Sequence, residues 1–582
     1  MLASAPASRG CRRAARDIAS ILQGNLWILH RFSCFLLPAL LQKVWIFGKI
    51  LTGAGVPADT SLLEQTEQNK GAITMRGIYT PVTDIRRKVF TEVARMAYEV
   101  NEMHDFEYLM RELPFKIIPG EEKSLRSSIF LERAIVSERV RLAMGMSLRP
   151  LDESVPASEG LEQSVIADKY YEPPLINVIK FACNACPEKV IKVTAMCQGC
   201  LAHPCQEVCP KHAISFRNGK SHIDQSLCVK CGRCVNSCPY SAIVKTERPC
   251  AAACGMGAIH SDEHGRAEID YDKCVSCGMC LANCPFGAIA DKAQIFQTIQ
   301  AIKSDVPVYA AIAPAVTGQF GAQMTPEKMR SAFQAIGFED VVEVAIGADL
   351  CTIAEAKDFV EEVPEKLPFM ATSCCPAWSM MAKKLFPEYS ECISMALTPM
   401  VLTGRLIKKK HPGCKVAFIG PCAAKKLEAG RKSIRSDIDF VLTFEEVMGM
   451  FEAKEVNFAE LKEQDPMHGA SGDGRGFAIS GGVASAVVNC VKELYPDREV
   501  KVESAEGLDN CQKLLSMAKA GKYNGYLLEG MACPGGCIAG AGTIQPIAKA
   551  KASVNIQKKK STHAHAVESN YKDILEQLEE RI

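Results

Sequence analysis

Sixteen of the chain's 28 cysteines fall between residues 183 and 284. Two runs within that stretch are spaced alike, Cys228-x2-Cys231-x2-Cys234-x3-Cys238-Pro239 and Cys274-x2-Cys277-x2-Cys280-x3-Cys284-Pro285. Three thiolates at such intervals wrap three irons of a [4Fe–4S] cubane, and a fourth ahead of proline ligates a neighbouring cluster. Zinc is the competing chemistry, and Cys183 and Cys186 with Cys197 and Cys200 would make a passable four-thiolate site. Zinc sites seldom carry this spacing twice, and a disulfide framework does not require it. A chain of 582 residues also has no shortage of core that disulfides would have to offset. Thiolate cubanes imply a reducing, low-oxygen compartment.

Each cubane needs four thiolates from two separate segments, so the sixteen can be allotted. Cys197-x2-Cys200-x4-Cys205-x3-Cys209-Pro210 is a looser half-motif, followed by Ala213-Ile214 and an Ile223-Asp224 turn into Cys228. One cluster then takes Cys197, Cys200, Cys205 and Cys238, and its neighbour Cys228, Cys231, Cys234 and Cys209. Cys183-x2-Cys186 and Cys250-x3-Cys254 complete a second pair. In it, Cys274, Cys277 and Cys280 join Cys254, while Cys183, Cys186 and Cys250 join Cys284. Four clusters leave no thiolate over. The block resembles the polyferredoxin subunits of complex oxidoreductases, in which two ferredoxin folds are interleaved, and this places a ferredoxin-like domain at 175–295.

Three later loops set cysteine beside proline and glycine or alanine. They are Thr372-Ser373-Cys374-Cys375-Pro376-Ala377-Trp378, Gly420-Pro421-Cys422-Ala423-Ala424-Lys425-Lys426-Leu427-Glu428, and Glu529-Gly530-Met531-Ala532-Cys533-Pro534-Gly535-Gly536-Cys537 running on to Gly542. The last pairs two thiolates four residues apart, and its glycines let backbone approach a bulky ligand. Four thiolates, from Cys375, Cys422, Cys533 and Cys537, could converge. Lys425 beside them would suit an anionic ligand.

Strands must bring these loops together. Val308–Ala313, Val416–Ile419 and Tyr526–Leu528 read as strands, alternating with helical stretches such as Glu327–Ile336 and Ser485–Leu494. The pattern predicts an α/β domain over 305–550, with loop sites at strand ends. Upstream, 75–174 reads as helical: Ile85, Val89, Phe90, Val93, Ala94, Ala97 and Val100 form one apolar face, Ile129–Met144 another, and Leu148–Gly160 a linker. No chemistry is legible there, so a packing or docking element is expected. Residues 551–582 read as a tail with a short amphipathic helix.

In order and together, the three loops closely resemble the signature sequences of the [FeFe]-hydrogenase catalytic domain. The resemblance implies a binuclear iron centre with CO, cyanide and an amine dithiolate, joined through a cysteine to a cubane. Cys375, Cys422, Cys533 and Cys537 would bind the cubane of this H-cluster, and Cys537 would bridge to the binuclear iron. Cys374 corresponds to the cysteine that relays protons, Lys425 to the lysine that hydrogen-bonds a cyanide, and Glu355, Asp358 and Ser394 to the proton route. Gly420 stands where methionine is usual, Ala377 where glycine is, and Ala541 interrupts the last glycine triplet. No [2Fe–2S] motif or His-ligated cluster sequence precedes Cys183, so the electron-entry module differs from the clostridial type. The implied activity is the interconversion of H2 with two protons and two electrons, exchanged with ferredoxin or another low-potential carrier, after separate maturation proteins build the binuclear centre. An iron–sulfur assembly protein or an H2 sensor sharing the domain is the alternative; intact Cys374, Lys425 and Glu428 speak against the first.

The remaining cysteines Cys351, Cys392, Cys414, Cys490 and Cys511 lack ligand spacing and read as core. Lys425 could also serve only as an ion-pair partner of Glu428, and Cys374 as a small buried hydrophobe. Gly481-Gly482 after Gly474 and Gly476 is too weak for a nucleotide loop. With 68 basic against 67 acidic residues, no nucleic-acid footprint is present overall. The acid-poor residues 1–58 hold a broken apolar stretch over Leu26–Leu51, so 1–74 is expected to be an extension, a targeting segment or a weak anchor, and the working protein cytoplasmic or organellar.

Overall fold

A computed structural model describes residues 77–465, 467 and 469–579. The expectations for 1–74 lie outside the described residues. Three helices come first: α1 (Pro81–Glu99), α2 (Met103–Ile117) and α3 (Ile129–Ala143). Pro81 occupies the first turn of α1, where its missing N–H is no loss, and the Thr80 hydroxyl accepts from the Thr83 amide. The apolar face of α1 is buried at Val89, Phe90, Val93, Ala94 and Ala97. It shares one core with Phe106 of α2 and with Phe296, Phe333 and Phe451 further along the chain. Helices α1, α2 and α3 thus pack on the later α/β part, sharing its core. Edge-to-face rings of Phe106 and Phe296, 5.2 Å apart, are part of that seam.

Eight short strands carry the cysteine block: β1 (Ile176–Val178), β2 (Val190–Val193), β3 (Ile214–Arg217), β4 (Lys220–Ile223), β5 (Ile243–Thr246), β6 (Ile259–Ser261), β7 (Ala267–Ile269) and β8 (Ile289–Asp291). All pair antiparallel, β1 with β8, β2 with β5, β3 with β4 and β6 with β7. The β2–β5 pair and its hairpin are therefore nested inside the β1–β8 pair. Both units keep a small apolar core, Ile191, Ile214, Ile223 and Ile243 in the inner one and Ile176, Val178, Ile269 and Ile289 in the outer.

After helix α4 (Ile295–Lys303) the chain alternates strand and helix. Its first half holds β9 (Val308–Ile312), β10 (Val341–Glu343), α5 (Val344–Glu362), β11 (Met370–Ala371), α6 (Pro376–Leu385) and α7 (Pro399–Lys410). The second holds β12 (Lys415–Gly420), β13 (Phe440–Thr443), α8 (Phe444–Ala453), α9 (Gly482–Leu494), β14 (Lys501–Glu506), β15 (Tyr526–Met531) and α10 (Ile547–Lys559). Two parallel sheets result, ordered β10-β9-β12-β13 and β11-β15-β14. Strand β9 is buried on both faces, as a parallel strand covered by helices must be.

The tail is more integrated than the sequence suggests. Helix α10 runs across residue 550, and its Ala550 and Val554 are buried in the main core with Ala315 and Val316. Beyond it, Leu575 and Leu578 are buried against Leu350 and Leu402. Their apolar surface needed a partner, and helices α5 and α7 supply it. Among the described residues, no helix is long and apolar enough to cross a membrane.

Candidate active site

The C-terminal ends of β11 and β15, parallel neighbours in one sheet, and of β12 in the other release the three cysteine loops. Cys375 is the N-cap of α6, with Pro376 in the first turn, and the Trp378 indole closes the loop by donating to the Thr372 carbonyl at 2.9 Å. Cys422 follows Gly420-Pro421 at the end of β12. The third loop locks onto the second: the Gly542 amide donates to the Pro421 carbonyl at 2.9 Å. A Cβ on Gly540 would lie 2.4 Å from that same oxygen, so the close approach requires glycine.

Cys374, Cys375, Cys422, Cys533, Cys537 and Lys425 all line one cavity of about 90 Å³. The rest of its wall is apolar, including Phe418, Met400 and Phe477. Cys277, from the cysteine block, lies on the same wall. Burial pushes the Cys422 thiol up to about 12, with Cys533 and Cys375 as the next neighbours acting on it and Lys425 opposing. Cys537 is likewise pushed well up by burial, and Cys375, Cys422 and Cys533 all act on it. The four thiols are thus mutual neighbours in a dry pocket. A group that binds thiolates and supplies positive charge suits such a pocket.

Lys425 is buried and pairs with Glu428 at 2.6 Å, and the Thr398 hydroxyl donates to the other Glu428 oxygen at 2.5 Å. The ion pair with Glu428 therefore exists, and the ammonium still faces the cavity. Next door, Lys426 makes a fully buried bridge to Asp291 (2.8 Å) and Glu446 (2.6 Å), tying the cysteine block to α8. Sequence reasoning misses that residue, because a second lysine beside a site lysine is an ambiguous signal.

Ala348, Cys351, Glu355 and Asp358 recur at helical spacing along one side of α5. Ala348 reaches the cavity, and Glu355 is fully buried behind Cys374. Burial pushes Glu355 up to about 7, opposed by the Ser394 hydroxyl and the Ser373 amide, which donates at 3.4 Å. Asp358 is half-buried and acts on Glu355 through its charge. Glu355 thus lies beside Cys374, with Ser394 and Asp358 acting on Glu355. Cys351, Cys392, Cys414, Cys490 and Cys511 are buried outside the four-thiol set.

Among the described residues, no three His, Cys, Asp or Glu side chains are placed to hold a single ion. In a cubane each thiolate binds its own iron, so thiols that share one would lie near one another. Cys250, pushed up to about 12 by burial, has Cys284 and Cys183 as neighbours, and Cys186 has Cys183 and Cys284. Cys280 has Cys277, Cys274, Cys254 and then Cys250 acting on it, and Cys234 has Cys228, Cys231 and Cys209. Cys197 and Cys205 meet at Ser221, whose amide donates to the first and whose hydroxyl lies 3.7 Å from the second.

A repeated backbone detail supports metal-bound sulfur. The amides of Ala213, Ala242, Ala258 and Ala288 donate to Cys209, Cys238, Cys254 and Cys284 Sγ at 3.3–3.4 Å. In each case the alanine is four residues after its cysteine. Just ahead of it, His212, Ser241, Gly257 and Gly287 all have positive φ. Left-handed turns at non-glycine residues are strained and persist where a site demands them. The shared Cys-x3-Ala pattern was legible in the sequence, though it includes Cys254-Gly255, which lacks the proline.

Residues 306–541 match the family model described as the iron only hydrogenase large subunit, C-terminal domain. Residues 197–247 match an LdpA Fe-S cluster-binding domain and 266–289 a 4Fe-4S binding domain. Iron hydrogenase 1 of Clostridium pasteurianum is 27% identical over 439 residues, 66% of this chain and 76% of the relative. The periplasmic [Fe] hydrogenase large subunit of Nitratidesulfovibrio vulgaris is 31% identical over 373 residues, 56% of this chain and 86% of the relative. A probable cytosolic Fe-S cluster assembly factor of Aedes aegypti is 27% identical over 39% of this chain, which spans 58% of that relative. Among solved structures, an [FeFe]-hydrogenase variant of Chlamydomonas reinhardtii matches 47% of this chain and 89% of its own at 24% identity, with a TM-score of 0.40. The protein is an iron–sulfur protein with 4Fe–4S binding segments. It belongs to the iron-only hydrogenase family, as a divergent member.

Proposed function

We propose that the protein interconverts H2 with two protons and two electrons. The observation that carries this reading is the shared cavity, which gathers Cys374, Lys425 and the four thiols Cys375, Cys422, Cys533 and Cys537, with Cys277 of the cysteine block on its wall. Those four thiols would hold the cubane of an H-cluster, with Cys537 as the bridge to binuclear iron. When bound, that centre supplies the Lewis acidity and redox capacity for the H–H bond. The chain's own residues do the rest. Apolar walls from Phe418, Met400 and Phe477 exclude water, and Lys425, oriented by Glu428, presents an N–H donor to an anionic ligand. Cys374 passes a proton at Sγ toward the buried Glu355 carboxyl, from which Ser394 and Asp358 lead outward.

The two nested antiparallel units would act as interleaved ferredoxin folds with four [4Fe–4S] clusters. Cys277 lines the cavity together with Cys422, so one of these clusters would sit beside it. Electrons would pass along this series from an external low-potential carrier, and maturation proteins would install the binuclear centre. Iron analysis of protein reconstituted without that centre should give about twenty irons, from five cubanes; a value near twelve with zinc present would remove the Cys183, Cys186, Cys250 and Cys254 assignments.

Similarity to assembly factors favours a second reading, a cluster-assembly role without turnover. Infrared spectroscopy of the matured protein separates the two. Bands from CO and cyanide, with H2-dependent dye reduction, support the hydrogenase reading. Full cubane content without those bands would refute it.

A further inference from the structure

The two nested units carry the same loop, and one copy is covered while the other is bare. In the outer unit, Cys274-Val275-Ser276-Cys277-Gly278-Met279-Cys280 lies against the catalytic domain. Val275 is 2% exposed and Met279 8%, and a Cβ on Gly278 would lie 2.5 Å from Ala541 and 3.4 Å from Ala423. Leu508 covers the neighbouring turn, 2.7 Å from where a Cβ of Gly255 would stand, and Met256 packs beside it. In the inner unit the loop reads Cys228-Val229-Lys230-Cys231-Gly232-Arg233-Cys234. Val229 is 56% exposed, and nothing lies within 4 Å of where a Cβ of Gly232 would stand. Cys231 is the one exposed thiol among the described cysteines.

The chemistry changes with the exposure. Ser276, Met279 and Met256 on the covered face correspond to Lys230, Arg233 and Lys211 on the bare one. Lys211, Val229 and Arg233 line a single cavity with Cys209, Cys228 and Cys231. Residues 204–240 hold five Lys and Arg against two acids, in a chain whose overall balance is +1. Leu227 is also more than half exposed beside this loop. The face is thus a small apolar spot ringed by cations, at the thiol nearest solvent.

We propose that this face, formed by Lys211, Val229, Lys230 and Arg233 around Cys231, docks a small acidic electron-carrier protein. It plays toward an external partner the part that the Cys274–Cys280 loop plays toward the catalytic domain. One electron passes from the reduced centre of the carrier, which is oxidised, to the cubane beside Cys231, which is reduced; no bond or proton changes. The inference rests on reading the cysteine block as an electron relay. Charge complementarity of this kind acts mainly on the encounter rate and is erased by salt.

The test uses the full chain with reconstituted clusters and a dithionite-reduced, strongly acidic flavodoxin freed of excess reductant, whose flavin band is distinct from that of the clusters. Stopped-flow bleaching of the clusters gives the second-order rate constant. Exchanging Lys211→Met, Lys230→Ser and Arg233→Met installs the residues the covered loop already carries. That variant should slow bleaching about tenfold or more at low ionic strength, and parent and variant should converge at high salt. An unchanged rate and salt slope, with cluster iron intact, overturns the proposal. Should the triple variant lose clusters, Arg233→Gln alone must show a smaller drop of the same sign, and no drop refutes the docking face. Charge-dependent bleaching in a protein without CO and cyanide bands would uphold docking while overturning the H2 reading; bands with charge-independent bleaching would do the reverse.

Discussion

Replacing Gly420 by methionine, the residue that the family resemblance implies there, should destabilise this protein unless Phe418 is changed with it. Gly420 ends strand β12, and Phe418, two residues earlier, points to the same face. A Cβ on Gly420 would lie 2.4 Å from Phe418 Cε1 and 2.7 Å from Cζ, with Ala313 Cβ at 3.4 Å. Backbone conformation is no obstacle, because Gly420 is not in the left-handed region. The obstacle is a ring that is only 3% exposed and cannot swing into solvent. Overpacking of this kind costs about 1–3 kcal/mol. Phe418→Ala alone leaves a cavity and costs about 3–5 kcal/mol. The double variant lets the methionine occupy the vacated volume, so the two effects should fall short of additive by about 2 kcal/mol. The assay is the urea midpoint read by tryptophan fluorescence, with Trp27 and Trp45 replaced by phenylalanine so that buried Trp378 alone reports. Additive midpoint shifts, or a Gly420→Met variant as stable as the parent, would show that Phe418 does not fill the methionine's place.

Other changes test the site from different sides. Cys374→Ser should cut turnover in both directions by about 10²-fold or more while iron content and infrared bands persist, and Cys374→Asp should retain more; parental rates in Cys374→Ser would strip Glu355, Asp358 and Ser394 of their route. Lys426→Met should lose about 3–5 kcal/mol at neutral pH, because it strands Asp291 and Glu446 in the interior. Burial pushes Asp291 up, but Lys426 and Arg86 more than offset it and hold it below its usual range, whereas at Glu446 burial outweighs Lys426 and raises it to about 7. Without the ammonium both carboxyls are relieved only by taking up protons, so this loss should shrink as pH falls from neutral, and a loss growing in acid contradicts the ion-pair argument. Glu355, raised by burial from 4.5 to about 7, binds its proton more tightly in the folded chain, so it lowers stability as pH rises between those values. Glu355→Gln should therefore flatten the pH dependence of the urea midpoint in that window, and a steeper dependence would refute the assignment.

Much of this molecule was written locally. Three cysteines of each complete cubane run sit within seven residues, so their spacing alone specifies the chemistry, and counting the leftover thiolates suggested how the two units nest. Strands such as Lys415–Gly420 and Tyr526–Met531 were legible because parallel strands buried on both faces read as continuous apolar runs. The loops at their ends carried their own proline and glycine punctuation.

What only the tertiary structure decided are pairings between segments far apart in the chain. Nothing in Lys426 distinguishes it from Lys425 until Asp291 and Glu446 close around it. The tail read as an appendage because its apolar positions are few, and their partners on α5 and α7 lie more than 150 residues earlier. Val229 and Val275 make the point most directly: the same residue in the same motif is exposed in one unit and buried in the other. Spacing within a loop depends on bond geometry that the loop carries with it, whereas burial depends on what another part of the chain brings to its surface.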